Sequence, residues 1–469
     1  MIATVMGDIS PSTYTYVFIL GLLCAIPFLL GRLRGRLDLF EPIYAVAAAY
    51  FGFFGFRALM LVNEPRLTAV AMNLLLINTS TYLLLGLQYV IGGMVALLLG
   101  YYSGLGGRLA QLAPQPSWMR GCSISLGRVT IVFLIGFGVQ MFLSSGGYGI
   151  GAEGSVADML SQIAFLGYYG LALGWVKLLV DRGVRTTLLV PTVVGMAVAE
   201  IGYVVAGGQR QYILLLLAIL VIGLHYFSRR FSTRQLLLGG CLFAFVIFPL
   251  TEQWRQVYWF SPQMETEQPD AAQAYRQAFE ELTATGTLGE YLRGAAVTFS
   301  NRLHGMDSLM LALYKTPATI PFFQGETLRN IAVGVFVPRF LWPGKPKVYI
   351  SDFFAREYWG LPPHIHAAIA VSQIGELYIN YGLGGVLIGL FCLGVIYRAL
   401  YVYLMVRAPR SYATIMYIIA FHSVIIIDRE FAVLYGTLIK HLAVLVVLGK
   451  MVMRRDRPAA APAGLVPRP

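Results

Sequence analysis

Long apolar segments separated by short polar connectors dominate this chain. A membrane-spanning helix needs about 20 mostly apolar residues, and eleven segments of the sequence approach that length. They are residues 14–31, 41–62, 80–102, 127–144, 160–180, 187–206, 211–228, 235–251, 383–406, 411–427 and 431–452. The pattern predicts an all-α polytopic membrane protein with about 11 transmembrane helices.

The same pattern divides the chain into four regions. Residues 1–251 hold the first eight predicted spans, and residues 383–455 hold the last three. Between them, residues 252–382 form a large loop that is too charged and too rich in proline to cross a bilayer. Residues 456–469 are a Pro/Ala tail that we expect to be a disordered cytoplasmic segment.

Composition and charge fit this topology. The chain is 57% hydrophobic and only 12% charged, which lies well outside the range of an ordinary soluble domain. Its net charge of +12 does not require nucleic acid, because most of the arginines lie in connectors. Fifteen lie on one predicted side: Arg32, Arg34, Arg36, Arg108, Arg120, Arg182, Arg185, Arg229, Arg230, Arg234, Arg407, Arg410, Arg454, Arg455 and Arg457. The short connectors on the other side hold three, so we expect the N-terminus and the large loop to lie outside the cytoplasm.

The large loop changes charge along its length. Residues 252–290 carry seven acidic and two basic side chains, whereas residues 291–375 carry eight basic and four acidic ones. Apolar residues at spacings of three and four from Leu292 to Leu313 predict one amphipathic helix in the second half. On that helix Arg293 and His304 would point in nearly the same direction, with Arg302 on the other flank. This polar face is either solvated or binds an anionic ligand.

Two short segments could bind a diphosphate. Arg210 lies in the five-residue connector 207–211, which holds it at the membrane surface, and guanidinium forms bidentate bonds to phosphate. Arg339 and Lys345 lie among the prolines of residues 337–347, a stiff segment that displays cations with little loss of entropy. The alternative for both segments is contact with lipid headgroups, and Trp342 fits either function.

The end of the loop offers candidates for proton transfer. His364 and His366 alternate in a short extended or turn segment, and Glu376 lies just before the ninth predicted span. A His or Glu at the outer membrane face could serve as the base for an acceptor hydroxyl. The two histidines could also bind a metal, but no third ligand lies at a fixed spacing, so we expect no metal and no cofactor. Tyr378 is a further candidate for substrate contact.

Several ionisable residues lie inside or between predicted spans. Glu200, His422, Lys440 and His441 are costly in hydrocarbon, so each is expected to face a polar cavity or a partner. Asp428, Arg429 and Glu430 form the tight turn between the last two spans. We expect these three charges to pair with one another as a cap at the interface; the alternative is that they contribute to the floor of a cavity.

Four motifs together resemble a known family. They are DLFEP at residues 38–42, GGQR at residues 207–210, VPRFLWPGKPK at residues 337–347 and GELYINYGLGG at residues 375–385. The chain is similar in these motifs, in its hydropathy and in its late large loop to the bacterial oligosaccharide repeat unit polymerases, the Wzy-type O-antigen polymerases.

The resemblance implies a GT-C-like glycosyltransferase of the bacterial inner membrane that is inverting and metal-independent, with its active site facing the periplasm or exterior. Such an enzyme transfers a growing glycan from undecaprenyl diphosphate to a new lipid-linked repeat unit. Arginines at the positions of Arg210 and Arg339 would hold the diphosphate with Lys345 and Arg302, and the region from His364 to Glu376 would supply the base. Residues expected to contact the glycan are Arg293, His304, Trp342, His364 and Tyr378.

The implied partners are the lipid-linked donor and acceptor, the bilayer and, as an open option, a chain-length regulator. Two alternatives remain. An O-antigen ligase would use the same donor with a lipid A core acceptor, and a transporter of lipid-linked glycan would perform no chemistry. The absence of an internal repeat and the long charged loop weigh against a transporter.

Overall fold

The computed structural model describes residues 11–35, 37–63, 79–121, 123–147, 155–181, 187–207, 210–259, 271–284, 287–329, 350–362 and 369–453. Over these residues the protein is helical, and the only β-structure is one isolated bridge between Ile124 and Met453. Nine helices of this part of the chain are long and apolar enough to cross a membrane, and two shorter apolar helices accompany them. The prediction of an all-α membrane protein is confirmed.

The helices are numbered here in chain order. They are α1 Ser12–Leu33, α2 Pro42–Asn63, α3 Ser80–Tyr102, α4 Leu105–Leu112, α5 Ser117–Arg120, α6 Leu126–Ser145, α7 Ser155–Ala164, α8 Leu166–Val180, α9 Leu189–Gly207, α10 Gln211–Phe227, α11 Thr233–Tyr258, α12 Ala271–Thr283, α13 Leu288–Arg302, α14 Gly305–Lys315, α15 Ser351–Phe353 continued by Phe354–Tyr358, α16 Gln373–Val406, α17 Tyr412–Ile425 and α18 Phe431–Val452. Each predicted apolar segment overlaps one of these helices, except residues 160–180, which α7 and α8 share; residues 159–180 of these two helices count together as one of the nine long ones in the described part of the chain.

Helices α3 and α16 pack with their backbones in close approach. A Cβ at Gly100 would overlap the carbonyl oxygen of Phe391, and a Cβ at Gly394 would overlap that of Leu97. Small residues let helix backbones approach in this way, which increases dispersion contact where no water can supply a hydrophobic driving force. The pair therefore forms a tight centre for the first half of the bundle.

The buried apolar side chains form two large clusters. One joins α1, α2, α3, α14 and α16 and includes Tyr50, Leu87 and Tyr397. The other joins α6, α8, α9, α10, α17 and α18 and includes Tyr169 and Tyr417. Helix α16 and the region around α17 contribute to both clusters, so these C-terminal helices hold the two halves together.

A smaller core lies between α11 and α12. Trp254 is fully buried there and stacks on Tyr258 and Tyr275 with ring centroids 4.7 and 5.1 Å apart. The hydroxyl of Tyr275 donates to the carbonyl oxygen of Val205 at 3.1 Å. The acidic half of the loop thus folds back on α11 and contacts the end of α9.

The second half of the loop differs from the prediction. The expectation of one amphipathic helix from Leu292 to Leu313 is wrong, because α13 ends at Arg302 and α14 begins at Gly305. Residues 305–313 are buried on every side. Gly305 packs against Phe53, where an added Cβ would lie 3.3 Å from the Phe53 Cβ. The break therefore lets α14 enter the core of the bundle while α13 stays outside it.

Helix α16 is interrupted near the place where the ninth span was predicted to begin. Tyr381 and Gly382 have non-helical backbone angles, and the φ of Gly382 is 63°, a conformation that glycine adopts at little cost. The segment from Gln373 to Asn380 precedes this break and is buried along its whole length. This segment packs against the loop helices, and the longer apolar part of α16 follows it in the chain.

The bundle has two ends, called here the loop end and the connector end. The loop end carries α12 to α15, the end of α2 at Asn63 and the turn between α17 and α18. The connector end carries Arg34, Gly35 and residues 37–41, the helices α4 and α5 and the turn between α16 and α17. Contacts such as Arg57 to Asp307 at the loop end and Arg398 to Glu41 at the connector end define this division.

Candidate functional site at the loop end

The turn between α17 and α18 is the centre of a charged cluster. Asp428 forms an ion pair with Arg302 at 3.1 Å, and Arg429 donates to the side chain of Gln211. Glu430 accepts a hydrogen bond from the backbone N–H of Ile350 at 2.8 Å. The expectation that the three charges pair with one another is wrong, because a different element brings a partner to each. The turn instead joins α13, α10 and the segment before α15.

Arg302 has the geometry of an anion-binding residue. It is the last residue of α13, and 41% of its side chain is exposed although one of its nitrogens is paired with Asp428. The side chain of Asp428 is only 8% exposed. A guanidinium has five N–H donors, so a pair with one carboxylate leaves donors for a phosphate. The carboxylate fixes the direction in which this cation points.

His304 lies at the break between α13 and α14. Its Nδ1 is 3.0 Å from the carbonyl oxygen of Arg302, so Nδ1 carries the donated hydrogen and Nε2 is an acceptor. Its ring meets the edge of Trp359 at 5.9 Å between centroids. Burial and then the charge of Arg302 lower the pKa of His304, whereas Asp428 and Asp307 oppose this shift. The imidazole is therefore neutral near pH 7 and able to accept a proton.

Arg293 lies apart from this group. It is exposed on α13, nine residues before Arg302, a separation of about 13 Å along the helix. At 100° per residue the two arginines lie on opposite sides of α13. The predicted common direction of Arg293 and His304 is wrong, because the helix ends before His304.

Both carboxylate oxygens of Glu376 accept hydrogen bonds in the protein interior. It is 1% exposed, and its Oε1 accepts from the Thr327 hydroxyl at 2.7 Å while its Oε2 accepts from the backbone N–H of Phe431 at 2.6 Å. Asn380 donates to both Thr327 and the carbonyl oxygen of Glu376. This arrangement satisfies a free N–H group at the start of α18. The geometry favours a structural role for Glu376 over a role as base.

Tyr378 is also a packing residue. Its hydroxyl donates to the carbonyl oxygen of Thr316 at 2.8 Å, and its ring meets the edge of Tyr89 at 5.3 Å between centroids. The side chain is 6% exposed. Its predicted contact with substrate stays a prediction.

Five predicted site residues lie outside the described residues, namely Arg339, Trp342, Lys345, His364 and His366. The neighbours of these segments do lie at the loop end. Arg329 precedes one segment and its N–H donates to Gly325, whose own N–H donates to Asn380. Ile350 follows that segment and contacts Glu430, while the carbonyl oxygen of Ala370, just after the histidines, accepts from Ser308.

For Arg210 the structure describes the backbone. Arg210 is the first residue of its helix and directly precedes Gln211, where the segment labelled α10 begins. Its neighbour Gln211 accepts from Arg429 through its side chain and from His422 Nε2 through its backbone carbonyl at 3.0 Å. The backbone of Arg210 therefore lies beside the turn between α17 and α18, the same turn whose Asp428 pairs with Arg302. Among the described residues, no group of three or more His, Cys, Asp or Glu side chains could hold a metal ion.

Sequence reasoning missed the strongest ion pair of this end. Arg57 in α2 binds Asp307 of α14 through two nitrogens at 2.8 and 2.9 Å, and it also donates to Ser300 and Asn301. Both charged side chains are almost completely buried. The signal was a lone arginine inside the apolar segment FFGFRALM, which a spanning helix does not carry without a partner.

The DLFEP motif forms a second polar cluster at the connector end, far from the loop. Asp38 accepts hydrogen bonds from the hydroxyls of Tyr226 and Tyr401 at 2.7 and 2.8 Å. Glu41 accepts from Tyr101 and from Arg398. Burial raises the pKa of Glu41, although the Tyr101 bond and the Arg398 charge oppose this. The motif therefore clamps α2, α3, α10 and α16 together.

Comparison with known proteins gives one match. No curated protein and no solved structure matches the chain significantly. A family model described as a domain of unknown function, DUF8712, matches residues 133–408. That range is more than half of the chain and extends from α6 through α16, so the protein belongs to the DUF8712 family.

Proposed function

We propose that the protein is a membrane glycosyltransferase that polymerises undecaprenyl-diphosphate-linked oligosaccharide repeat units into a surface polysaccharide such as O-antigen, capsule or exopolysaccharide. The motifs that resemble the repeat unit polymerases support the class. We further propose about eleven spans, a GT-C-like architecture and a bacterial inner-membrane location. In this proposal the loop end faces the periplasm or exterior.

The observation that carries the proposal is the half-exposed side chain of Arg302, which is paired with the buried carboxylate of Asp428. It lies at the end of an apolar bundle, where a lipid-linked diphosphate entering sideways from the bilayer would present its charge. The turn that holds Asp428 also contacts Gln211, next to Arg210, and Ile350, which follows the segment with Arg339 and Lys345. These contacts support a diphosphate site built from Arg210, Arg302, Arg339 and Lys345.

The proposed reaction is an inverting glycosyl transfer. A hydroxyl oxygen of the acceptor repeat unit attacks the anomeric carbon of the donor glycan. The bond from that carbon to the diphosphate oxygen breaks, and the diphosphate leaves with the electron pair and its lipid. Arginine and lysine donors stabilise the negative charge that develops on the leaving group, which can lower the barrier by several kcal/mol. A base takes the hydroxyl proton.

His366 is the proposed base, and His304 is a second candidate. His304 is neutral near pH 7, its Nε2 can accept a proton, and it lies two residues from Arg302. Glu376 is a weaker candidate, because both of its oxygens already accept hydrogen bonds in the interior.

The test is turnover of a synthetic undecaprenyl-diphosphate repeat unit by the purified full-length protein in lipid nanodiscs. Arg302→Ala should lower the rate by about 10² to 10³, the usual effect of losing one charge-assisted donor to a leaving group. Arg302→Lys, Arg339→Lys and Arg210→Lys should also be impaired, because lysine keeps the charge but loses the bidentate fork. Arg276→Ala, which removes an exposed arginine of α12, is the matched control and should retain activity.

The products separate this proposal from the alternatives. Long glycan on undecaprenyl diphosphate is the expected result. Transfer to a lipid A core acceptor without elongation would identify a ligase, and movement of intact donor across the membrane without any new glycosidic bond would identify a transporter. Near-normal turnover in all three lysine variants would mean that the arginines only contact the membrane surface.

A further inference from the structure

An apolar groove runs between α1 and α3 near the connector end. Its walls include Leu23 and Ile26 of α1 and Val95 and Tyr102 of α3, and they enclose a cavity of about 330 Å³. Cavities that bind small molecules measure about 300–1,000 Å³. The hydroxyl of Ser103, which lies at the end of the groove, already donates to a backbone carbonyl oxygen at 2.8 Å. The groove therefore suits a hydrocarbon chain.

The groove has the length of one leaflet of a bilayer. Its lining on α3 extends from Val95 to Ser103, eight residues or about 12 Å along the helix axis. One leaflet of the hydrocarbon core is about 15 Å thick, half of the whole core. Val95 and Leu99 are exposed at the side of α3, so the groove is open to the lipid around the bundle. A single acyl chain matches it in length and chemistry.

Helix α4 indicates that the groove ends at the level of the headgroups. It begins two residues after Ser103, and its exposed leucines share one face. Arg108 is exposed beside them. Exposed leucines next to a cation are typical of a helix that lies between hydrocarbon and headgroups. The residues of this face are Leu105, Leu109 and Leu112.

Arg34 places a positive charge at this end of the groove. It follows the last residue of α1, and its guanidinium carbon lies 5.9 Å from the centre of the Tyr102 ring. None of the ion pairs found in the described part of the chain includes Arg34. The acids of this end have other partners, because Asp38 accepts from two tyrosines and Glu41 pairs with Arg398 at 2.7 Å. A guanidinium over an aromatic ring keeps N–H donors that can bind a phosphate.

We propose that the groove between α1 and α3 is a binding site for an anionic phospholipid. One acyl chain lies along Val95 and Leu99, and the headgroup phosphate binds Arg34. The exposed Arg32 and Arg108 add positive charge at the same end. A second copy of this chain fits less well, because a symmetric contact at the groove would bring two copies of Arg34 together. The site lies at the opposite end of the bundle from Arg302 and does not depend on the proposed glycosyl transfer.

Native mass spectrometry of the purified full-length protein tests the charge. The protein is mixed in detergent with equal amounts of phosphatidylglycerol and phosphatidylcholine that carry the same acyl chains, and the retained lipid is counted. Wild type should retain phosphatidylglycerol in preference. Arg34→Gln should lower this preference about fivefold, the contribution of one arginine close to anionic lipid.

Arg120→Gln is the matched control for charge. It removes one exposed arginine from the same end of the bundle, but from α5, where the next residue Gly121 lies against Met453 after α18. The preference for phosphatidylglycerol should persist in this variant. An equal loss in Arg34→Gln and Arg120→Gln would show a general attraction to the basic end and would overturn the proposal.

Val95→Trp tests the groove itself. The indole would occupy the space of the acyl chain, so retention of phosphatidylglycerol should fall to that of phosphatidylcholine. Ile131→Trp, on the exposed surface of α6 outside the groove, is the control and should retain lipid as wild type does. Unchanged retention in Val95→Trp, or a wild-type dimer that this variant converts into a monomer, would overturn the proposal.

Thermal unfolding keeps the test decisive if Val95→Trp fails to fold. Arg34→Gln changes an exposed side chain, so its midpoint without added lipid should equal that of wild type. Phosphatidylglycerol should raise the midpoint of wild type above that in phosphatidylcholine, because the folded form alone binds it. This rise should be smaller in Arg34→Gln. The same rise in both proteins, or none in wild type, would contradict a site at Arg34.

Discussion

At the scale of single residues, the pair of Arg57 and Asp307 shows how the protein holds a charge in its interior. Arg57 donates to Asp307, Ser300 and Asn301. Both charged side chains are almost completely buried. A fully paired buried charge fixes structure, so this pair belongs to the stability of the loop end.

Replacing Asp307 by asparagine tests the structural role of this pair. The variant leaves Arg57 buried without a countercharge, so we expect a loss of about 3–5 kcal/mol in the free energy of unfolding. Arg57→Lys keeps a charge but cannot bind Asp307 through two nitrogens, so a smaller loss is expected. Thermal unfolding in detergent measures both effects.

The control for this pair is Glu280→Gln, which changes an exposed acid on α12 and should alter stability by less than about 0.5 kcal/mol. An Asp307→Asn protein as stable as wild type would show that the pair does not hold the loop helices on the bundle.

At the scale of helices, the sequence locates the long elements well but not the breaks between the short ones. The apolar segments that begin near residues 14, 80 and 431 coincide with α1, α3 and α18, because length and hydropathy are local properties of the chain. The break at Leu303 is different. It depends on the fit of Gly305 against Phe53 and of Asp307 against Arg57, contacts across about 250 residues that no local period encodes.

The candidate site shows the same limit. Hydropathy and charge predicted that the large loop, including Arg302, contributes to the site, and Arg302 lies at the loop end. The partners of Asp428, Arg429 and Glu430 were not predictable, because each comes from a distant part of the chain. A tight turn of alternating charges gave no sign that its side chains diverge to three elements.

The carboxylate of Glu376 accepts a hydrogen bond from the first backbone N–H group of α18, that of Phe431. Glu376→Gln replaces one acceptor oxygen by a donor, so either Phe431 N–H or the Thr327 hydroxyl loses its buried partner. We expect a loss of about 1–3 kcal/mol in stability, measured by thermal unfolding. Glu357→Gln, an exposed acid on α15, is the matched control and should be unchanged. If Glu376→Gln is as stable as wild type and yet inactive in turnover, the carboxylate is a catalytic base after all.

At the scale of the whole molecule, the two ends of the bundle are built differently. The connector end joins its helices through tyrosines and short turns around Asp38 and Glu41. The loop end carries four further helices, an exposed arginine and the flanks of the basic segment around Arg339. The connector end therefore holds helices together, whereas the loop end presents charged groups that a ligand can reach. The proposed function requires the loop end to face away from the cytoplasm.

Cysteine labelling tests that orientation on the full-length protein. After the four native cysteines are replaced by serine, Ala318→Cys places an exposed thiol at the loop end, and Ser117→Cys places one at the connector end. Arginines concentrate in the connectors near Ser117 and resist translocation, so a membrane-impermeant maleimide should label Ala318→Cys in intact spheroplasts. Ser117→Cys should react only after permeabilisation, which also serves as the control that its thiol is reactive. The reverse pattern would put Arg302 in the cytoplasm, where a polymerase acting on exported repeat units has no substrate, and would end the proposed function.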